Sequence, residues 1–143
     1  MKGKPILCLD FDGVCHSYTS GWKGAAIIPD PPVDGLFDFL LDVSEHFDTV
    51  VFSSRSNQDG GMVAMRDWFV KYYKSWRDKE FGPMAADDAY GYEGEVLLLV
   101  RFVTEKPPAQ VSLDDRCLTF TGIWPDVQNL RNFKPWNQKE TKV

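Results

Sequence analysis

Several features that define whole classes of protein are missing from this chain. No run of apolar residues approaches the ~20 that a membrane-spanning helix needs, and residues 1–5 lack the apolar segment of a signal peptide. Basic residues do not dominate, since 16 Lys and Arg stand against 21 Asp and Glu and the net charge is −5. A broad nucleic-acid-binding face is therefore disfavoured, although a nucleic-acid end can still bind at a local cationic site. We expect a cytoplasmic protein without a membrane partner.

Cysteine and repetition are equally scarce. The three cysteines, Cys8, Cys15 and Cys117, are an odd number without the spacing of a metal site, so we expect reduced thiols in a reducing compartment. There is no internal repeat and no low-complexity tract. What remains is a globular composition, with 43% hydrophobic residues in a chain of 143. This predicts one domain over residues 1–136 and a polar tail over 137–143, and it leaves the oligomeric state open.

Short apolar runs alternate with amphipathic segments along the chain. This alternation predicts an α/β fold: a single three-layer Rossmann-like domain with a central parallel sheet, helices on both faces and no cap domain. The predicted strands cover residues 6–9, 49–52, 97–103 and 111–113, with a short fifth strand over 118–120, and the predicted helices cover 33–47, 60–79 and 125–133. Two further apolar segments around a Gly-containing turn predict a β-hairpin flap over residues 14–28.

The sequence Asp10-Phe11-Asp12-Gly13 directly follows the first predicted strand. Side chains alternate along a strand, so both carboxylates start on the same side, and Gly13 permits a sharp turn. Two clustered carboxylates repel each other unless a cation or a proton lies between them. On its own this is also the composition of an ordinary solvated strand end. The alternative is a site for a hard divalent cation, in which a carboxylate acts as nucleophile or as acid and base.

Polar residues follow the other predicted strands in the same way. Ligands of open α/β sheets bind at the carboxyl ends of the strands. The residues placed at or near that edge are Asp10, Asp12, Ser53, Ser54, Lys106, Asp114 and Asp115. Because four strand ends carry complementary chemistry, we expect these residues to form one site.

The chemistry of these residues fits phosphoryl transfer with Mg²⁺ as cofactor. Asp10 is placed to attack phosphorus, and Asp12 to protonate the leaving oxygen and then deprotonate the attacking water. Asp10, the backbone carbonyl of Asp12 and Asp114 are the expected metal ligands. Ser53 and nearby groups are expected to bind phosphate oxygens, while Lys106 supplies positive charge to the carboxylates and to the transition state.

Several neighbouring residues leave more than one role open. Ser54 and Arg55 are predicted phosphate ligands, but Arg55 and Arg116 can equally pair with the carboxylates. Asp115 is a candidate metal ligand that binds directly, binds through water, or orients Lys106.

Two residues of the predicted flap also need interpretation. His16 stands beside Cys15 without further metal ligands, which favours an ordinary flap residue over a metal site. Trp22, at the predicted flap tip, has two equal interpretations: it packs over the substrate, or it anchors the hairpin.

Four short motifs together resemble the haloacid dehalogenase-like (HAD) hydrolase superfamily. They are DFDGV at residues 10–14, VVFSSR at 50–55, TEKPPA at 104–109 and VSLDDR at 111–116. The resemblance covers about residues 6–120, and the last two motifs look like those of small capless members found in bacteria and phages. It implies a Mg²⁺-dependent phosphatase with an aspartyl-phosphate intermediate, acting on a phosphorylated small molecule or a nucleic-acid end. One departure is Val14, where most phosphatases of this superfamily have Thr.

Two other classes of function compete with the phosphatase interpretation. Receiver-type signalling domains also use acids, a metal ion, Ser or Thr and Lys on a parallel sheet. Their adjacent acids come first and their Lys comes last, whereas here the adjacent pair Asp114 and Asp115 comes last and Lys106 precedes it. The other alternative is a non-catalytic phosphate-binding or scaffold module. It is disfavoured because a suitable residue stands at every predicted catalytic position.

Overall fold

The structure is a computed structural model that describes residues 3–85, 88 and 90–138. Its strands are β1 (Ile6–Leu9), β2 (Asp48–Val51), β3 (Arg101–Phe102) and β4 (Val111–Leu113). Its α-helices are α1 (Leu36–Val43), α2 (Gly61–Phe81), α3 (Gly91–Leu99) and α4 (Val127–Arg131), and a short 3₁₀ helix spans Ser54–Asn57. Residues 139–143 of the predicted tail lie outside the described part of the chain.

The four strands form one parallel sheet in the order β3-β2-β1-β4. The last residue of β1, Leu9, pairs with Val51 at the end of β2 and with Leu113 at the end of β4. Three strands therefore end in register, and the residues that follow them meet at one edge of the sheet. This confirms the prediction of an α/β fold with a central parallel sheet, which is the arrangement of Rossmann-like proteins.

The hydrophobic core lies between the sheet and helix α2. Met65, Phe69 and Tyr73 recur every four residues along α2 and are all buried, as the 3.6-residue period of an amphipathic helix requires. Phe11, which is fully buried, lies edge-on to Trp68 with ring centroids 5.0 Å apart. Helices α1 and α3 add to the same cluster, whereas α4 buries no side chain. The second helical layer of a three-layer sandwich and the absence of a cap stay predictions.

The strand predicted over residues 97–103 is wrong over most of its length, and no helix was predicted over residues 80–96. Helix α3 covers Gly91–Leu99, and β3 is only Arg101–Phe102. A short apolar run such as residues 96–100 fits a buried strand and a buried helix equally well. Leucine is a good helix former, and Val96 packs into the core from the helix.

The predicted β-hairpin over residues 14–28, all of which are described, is also wrong. The segment is an irregular loop, which we call the flap loop, with isolated bridges that pair His16 with Asp12 and with Pro32. Tyr18, Gly21 and Gly24 have positive φ angles, which a continuous strand does not allow. The chain here is organised by buried side chains rather than by a ladder of backbone hydrogen bonds.

Smaller corrections apply elsewhere. Helix α1 is shorter than the predicted 33–47, because Gly35 adopts a left-handed conformation with φ of 85° immediately before it. Helix α4 is shorter than the predicted 125–133, and residues 118–120 form no strand. Among the described residues, no helix combines the length and the apolar character that a membrane crossing needs. Cys8 and Cys15 are buried free thiols, as expected for core positions, but Cys117 is exposed.

Candidate functional site

Three carboxylates converge at the carboxyl edge of the sheet. Asp10 follows β1, and Asp114 and Asp115 follow the neighbouring strand β4; each offers an oxygen within 4.8 Å of the others. The backbone N–H of Asp10 donates to the carbonyl of Leu113 at 3.0 Å, which continues the strand pairing by one residue and fixes the two chain segments together. We call these three residues the acid cluster.

The acid cluster is electrostatically strained in the absence of a cation. Burial raises the pKa of the Asp10 carboxyl to about 7, the negative charge of Asp114 and the contact with Asp115 act in the same direction, and the N–H of Phe11 opposes them. One oxygen of Asp115, Oδ1, is buried without a hydrogen-bond partner among the described residues. Hard divalent cations take carboxylate oxygens as ligands, so the donor set and the orphaned oxygen both fit such an ion.

The approach of Asp115 to the loop after β1 depends on Gly13. This glycine has a φ angle of 82°, and a Cβ atom at its position would collide with the Asp115 carboxylate. The carbonyl of the same glycine accepts a hydrogen bond from the Trp136 indole N–H at 2.7 Å. The C-terminal part of the described chain thus reaches back to the loop that carries the two predicted catalytic acids.

Asp12 does not belong to the acid cluster. Its carboxylate lies 2.9 Å from Nε of Arg55 through Oδ2 and 2.9 Å from Nδ1 of His16 through Oδ1. The side chains of Arg55 and His16 are fully buried, and that of Asp12 is 15% exposed. The two acids of the Asp-x-Asp motif therefore occupy different environments. Asp10 lies among carboxylates, and Asp12 lies between a guanidinium and an imidazole.

The hydrogen bonds of His16 fix the position of its proton. The backbone N–H of Asp30 donates to Nε2 at 3.1 Å, so Nε2 is an acceptor and the proton lies on Nδ1, from which it is donated to Asp12. Asp30 is held in turn by Ser20, whose hydroxyl donates to its carboxylate at 2.6 Å. The carbonyl of Asp30 accepts the indole N–H of Trp68 at 2.9 Å. His16 is thus part of a buried network that connects the flap loop to α2.

The predicted phosphate ligands differ in their exposure to solvent. Ser53 is buried and begins the 3₁₀ helix, where its side-chain oxygen accepts the backbone N–H of Arg55 at 3.1 Å. Ser54 is exposed. Lys106 is exposed and makes no hydrogen bond or ion pair within the described part of the chain.

Lys106 and the acid cluster both influence the Cys8 thiol. Burial raises the pKa of the Cys8 thiol, the negative charges of Asp10 and Asp114 raise it further, and the positive charge of Lys106 opposes them. The charge of Lys106 therefore acts on the same thiol of β1 as the charges of Asp10 and Asp114, and its place in one site with the carboxylates stays a prediction.

The remaining predicted residues have clear positions. The guanidinium of Arg55 lies under the flap loop and stacks on Trp22, with 4.5 Å from its central carbon to the ring centroid. Of the two interpretations of Arg55, pairing with a carboxylate is the one the geometry favours. Arg116 donates its backbone N–H to Asp114 at 2.8 Å. It also stands at the start of an open groove of about 1040 Å³ that runs along mostly apolar residues between 118 and 133, and none of the acid-cluster residues lines that groove.

Sequence reasoning left the role of Arg55 open and missed the contact of His16 with Asp12. Arg55 is 43 residues away from Asp12 along the chain, so no local pattern reveals their contact. His16 offered a weak signal, because it stands four residues after Asp12 in a sequence with only two histidines. Trp136 gave none, since it lies 123 residues from the carbonyl that it binds.

Comparison with known proteins gave no match: no protein-family model, no curated protein and no solved structure is significantly similar to this chain.

Proposed function

We propose that this protein is a Mg²⁺-dependent phosphomonoester hydrolase of the haloacid dehalogenase-like type, which works through an aspartyl-phosphate on Asp10. One observation supports this most strongly. Asp10 lies in a carboxylate cluster that suits a cation, while Asp12, two residues later, is held apart by Arg55 and His16. A nucleophile and a proton carrier need different surroundings, and a cation bound at the acid cluster would hold Asp10 ionised for the attack.

Asp10, Asp114 and Asp115 are the side chains that would hold the ion. Bound Mg²⁺ would neutralise the acid cluster and the phosphate oxygens and so reduce the repulsion between an anionic nucleophile and an anionic substrate. The carboxylate of Asp12 is not part of this ligand set, since it is paired with Arg55. A contribution from the backbone carbonyl of Asp12 stays a prediction.

In the first half of the reaction, a carboxylate oxygen of Asp10 forms a bond to phosphorus and the bond from phosphorus to the leaving oxygen breaks. Asp12 gives a proton to that leaving oxygen, so the alcohol departs neutral. The hydrogen bond from the Phe11 N–H to Oδ1 of Asp10, at 2.8 Å, orients the nucleophile and leaves Oδ2 as the attacking oxygen. The product of this half is an acyl phosphate on Asp10.

In the second half, water attacks phosphorus and the bond to Asp10 breaks. Asp12, now deprotonated, accepts the proton of the attacking water, and inorganic phosphate leaves. Both halves use the same Asp12 carboxylate, which therefore has to stay in one place while its proton leaves and returns.

Lys106, Ser53 and Ser54 are the proposed contacts of the phosphate oxygens. Lys106 and Ser54 are both exposed, so each is accessible to an incoming anion. Arg55 has no exposed surface, so we assign it to Asp12 rather than to the phosphate. The proposed substrates are phosphorylated small molecules or nucleic-acid ends, and the proposed location is the cytoplasm.

The test is hydrolysis of p-nitrophenyl phosphate with and without Mg²⁺. The proposal expects Mg²⁺-dependent turnover in the wild type and its loss in Asp10→Asn. The matched control is Asp42→Asn, because Asp42 is an exposed carboxylate on α1, and it should retain wild-type turnover.

Two outcomes would count against the proposal. Turnover that persists in Asp10→Asn would contradict a nucleophilic role for Asp10. A wild-type protein that takes up phosphate on an aspartate and keeps it for many minutes would favour a receiver-like signalling function instead.

A further inference from the structure

We infer that Arg55 is a positioning residue that joins the flap loop to the Asp12 carboxylate, so that proton transfer by Asp12 depends on the loop being in place. This inference rests on the proposed function and adds to it a role for Arg55, which the sequence left open between a phosphate ligand and a partner of the carboxylates. It is carried by the contacts of one buried guanidinium.

The guanidinium of Arg55 divides its hydrogen bonds between two partners. Nε donates to Asp12, at 2.9 Å from Oδ2 and 3.2 Å from Oδ1. Nη1 points the other way and donates to three backbone carbonyls of the flap loop, those of Gly24 and Ala25 at 2.8 Å and that of Ile27 at 3.3 Å. A single rigid group therefore ties the carboxylate to the loop.

Burial makes this contact energetically important. The side chain of Arg55 has no exposed surface, and its Nη2 has no hydrogen-bond partner among the described residues. A buried charge is strongly destabilising unless it is paired, so the Asp12 carboxylate, the loop carbonyls and the face of Trp22 at 4.5 Å together compensate it. If the loop opened, the guanidinium would lose most of these partners and would no longer hold the Asp12 carboxylate firmly in one position.

The backbone of Arg55 is fixed from the other side. Its N–H is capped by the Ser53 side chain at 3.1 Å, and its carbonyl lies so close to Gly61 that a Cβ atom there would collide with it. These two contacts hold the main chain of Arg55 independently of the flap loop. The side chain of Arg55 is thus the adjustable element between a fixed backbone and a loop.

The contacts also select one oxygen of Asp12 for the chemistry. Oδ1 accepts from both His16 and Arg55, whereas Oδ2 accepts from Arg55 alone. A carboxylate oxygen offers two acceptor positions, so Oδ2 keeps one free and is the oxygen that carries the proton. Lysine cannot reproduce the arrangement, because a single ammonium lacks the planar fork that reaches Asp12 and the loop carbonyls simultaneously.

The experiment compares two aryl phosphates with different leaving groups in wild type and Arg55→Lys. Phenyl phosphate needs protonation of its leaving oxygen more than p-nitrophenyl phosphate does, because phenolate is the stronger base. General acid catalysis contributes roughly 10²–10⁴-fold to a rate. We expect Arg55→Lys to lower kcat/KM for phenyl phosphate at least ~10-fold more than kcat/KM for p-nitrophenyl phosphate, because kcat/KM reports the half of the reaction in which the leaving group departs.

Controls separate this effect from a general loss of structure. Arg66→Lys is the matched control, because Arg66 pairs with Glu93 on the surface, and both substrates should be hydrolysed as in the wild type. If Arg55→Lys does not fold, Trp22→Ala provides the second test: Trp22 is 46% exposed, and losing the stack should give the same leaving-group dependence to a smaller degree.

Equal losses for the two substrates in the folded variant would overturn the inference, because a purely structural role lowers both rates together. That result, with an active wild type and an inactive Asp10→Asn, would leave the proposed function standing. A wild type that hydrolyses neither substrate would overturn both.

Discussion

The carboxylate of Asp115 occupies the space where a side chain on residue 13 would begin. Gly13 makes this possible because it has no Cβ atom and because its φ angle of 82° is one that other residues rarely adopt. The glycine of the Asp-x-Asp-Gly motif therefore does more than turn the chain after β1. It admits Asp115, the second acid of the VSLDDR motif, into the acid cluster.

Replacing Gly13 with alanine should consequently expel Asp115 from the cluster. We expect Gly13→Ala to destabilise the fold by ~1–3 kcal/mol through the strained φ angle and to weaken Mg²⁺ binding by roughly 10–100-fold through the displaced carboxylate. Isothermal titration with Mg²⁺ and thermal unfolding measure the two effects. Gly21→Ala is the control, because Gly21 has a φ angle of 74° but nothing within 4 Å of a Cβ atom; it should cost stability and leave Mg²⁺ affinity unchanged. Equal Mg²⁺ affinities for the two variants would refute the explanation.

The raised pKa of Asp10 predicts a specific dependence of stability on pH in the absence of divalent cations. The pKa of Asp10 is about 7 in the folded protein, whereas that of an unperturbed aspartate is 3.8. Between these values the folded state binds more protons than the unfolded state, so its stability falls as the pH rises. The group's contribution is complete below about pH 4 and is lost above about pH 7, and it amounts to at most ~4 kcal/mol at 1.36 kcal/mol for each pKa unit.

Asp10→Asn isolates this contribution, because an amide imitates the protonated carboxyl. Without Mg²⁺, the variant should match the wild type in Tm near pH 4 and exceed it near pH 8. Adding Mg²⁺ at pH 8 should reverse the order, since only the wild type gains a cation at Asp10. A difference in Tm that stays constant from pH 4 to pH 8 would mean that Asp10 is not the group responsible.

The hydrogen bond from Trp136 to Gly13 predicts that the C-terminal part of the chain supports the site. Trp136→Phe keeps an aromatic ring and removes the 2.7 Å bond to the Gly13 carbonyl, which should cost ~1 kcal/mol. Hydrogen exchange over residues 13–17 should accelerate. Trp124→Phe is the comparison, because Trp124 is 84% exposed and its indole N–H has no hydrogen-bond partner in the described ranges. If the two variants show the same exchange over residues 13–17, the bond has no supporting role.

The parts of the fold that followed from the sequence are those whose patterns are local. The continuous apolar run before Asp10 predicted β1, and the regular spacing of Met65 and Phe69 predicted α2, because burial on one or both sides leaves a direct trace in the residues. The position of Asp10 and Asp114 at one edge followed from the same strands. Helix α3 did not, since leucines in a short apolar run satisfy two kinds of secondary structure.

The environment of Asp12 could not be predicted in the same way. The sequence treats Asp10 and Asp12 as two similar acids, and only the fold brings Arg55 across 43 residues to one of them. The prediction of a β-hairpin over the flap loop was wrong for a related reason. The carbonyls of Gly24 and Ala25 are taken by the Arg55 guanidinium, and no pattern of alternating residues reveals a hydrogen bond from a distant side chain.

The most direct test of the proposed mechanism is to look for the phosphorylated nucleophile itself. Asp12→Asn should still allow attack on p-nitrophenyl phosphate, whose leaving group needs little protonation, but should slow the attack of water for lack of a base. Rapid acid quenching and mass spectrometry of the digested protein should then find one phosphoryl group on the peptide that contains Asp10, in Mg²⁺ and not in its absence. A phosphoryl group on any other residue, or none in either the variant or the rapidly quenched wild type while product forms, would contradict the account.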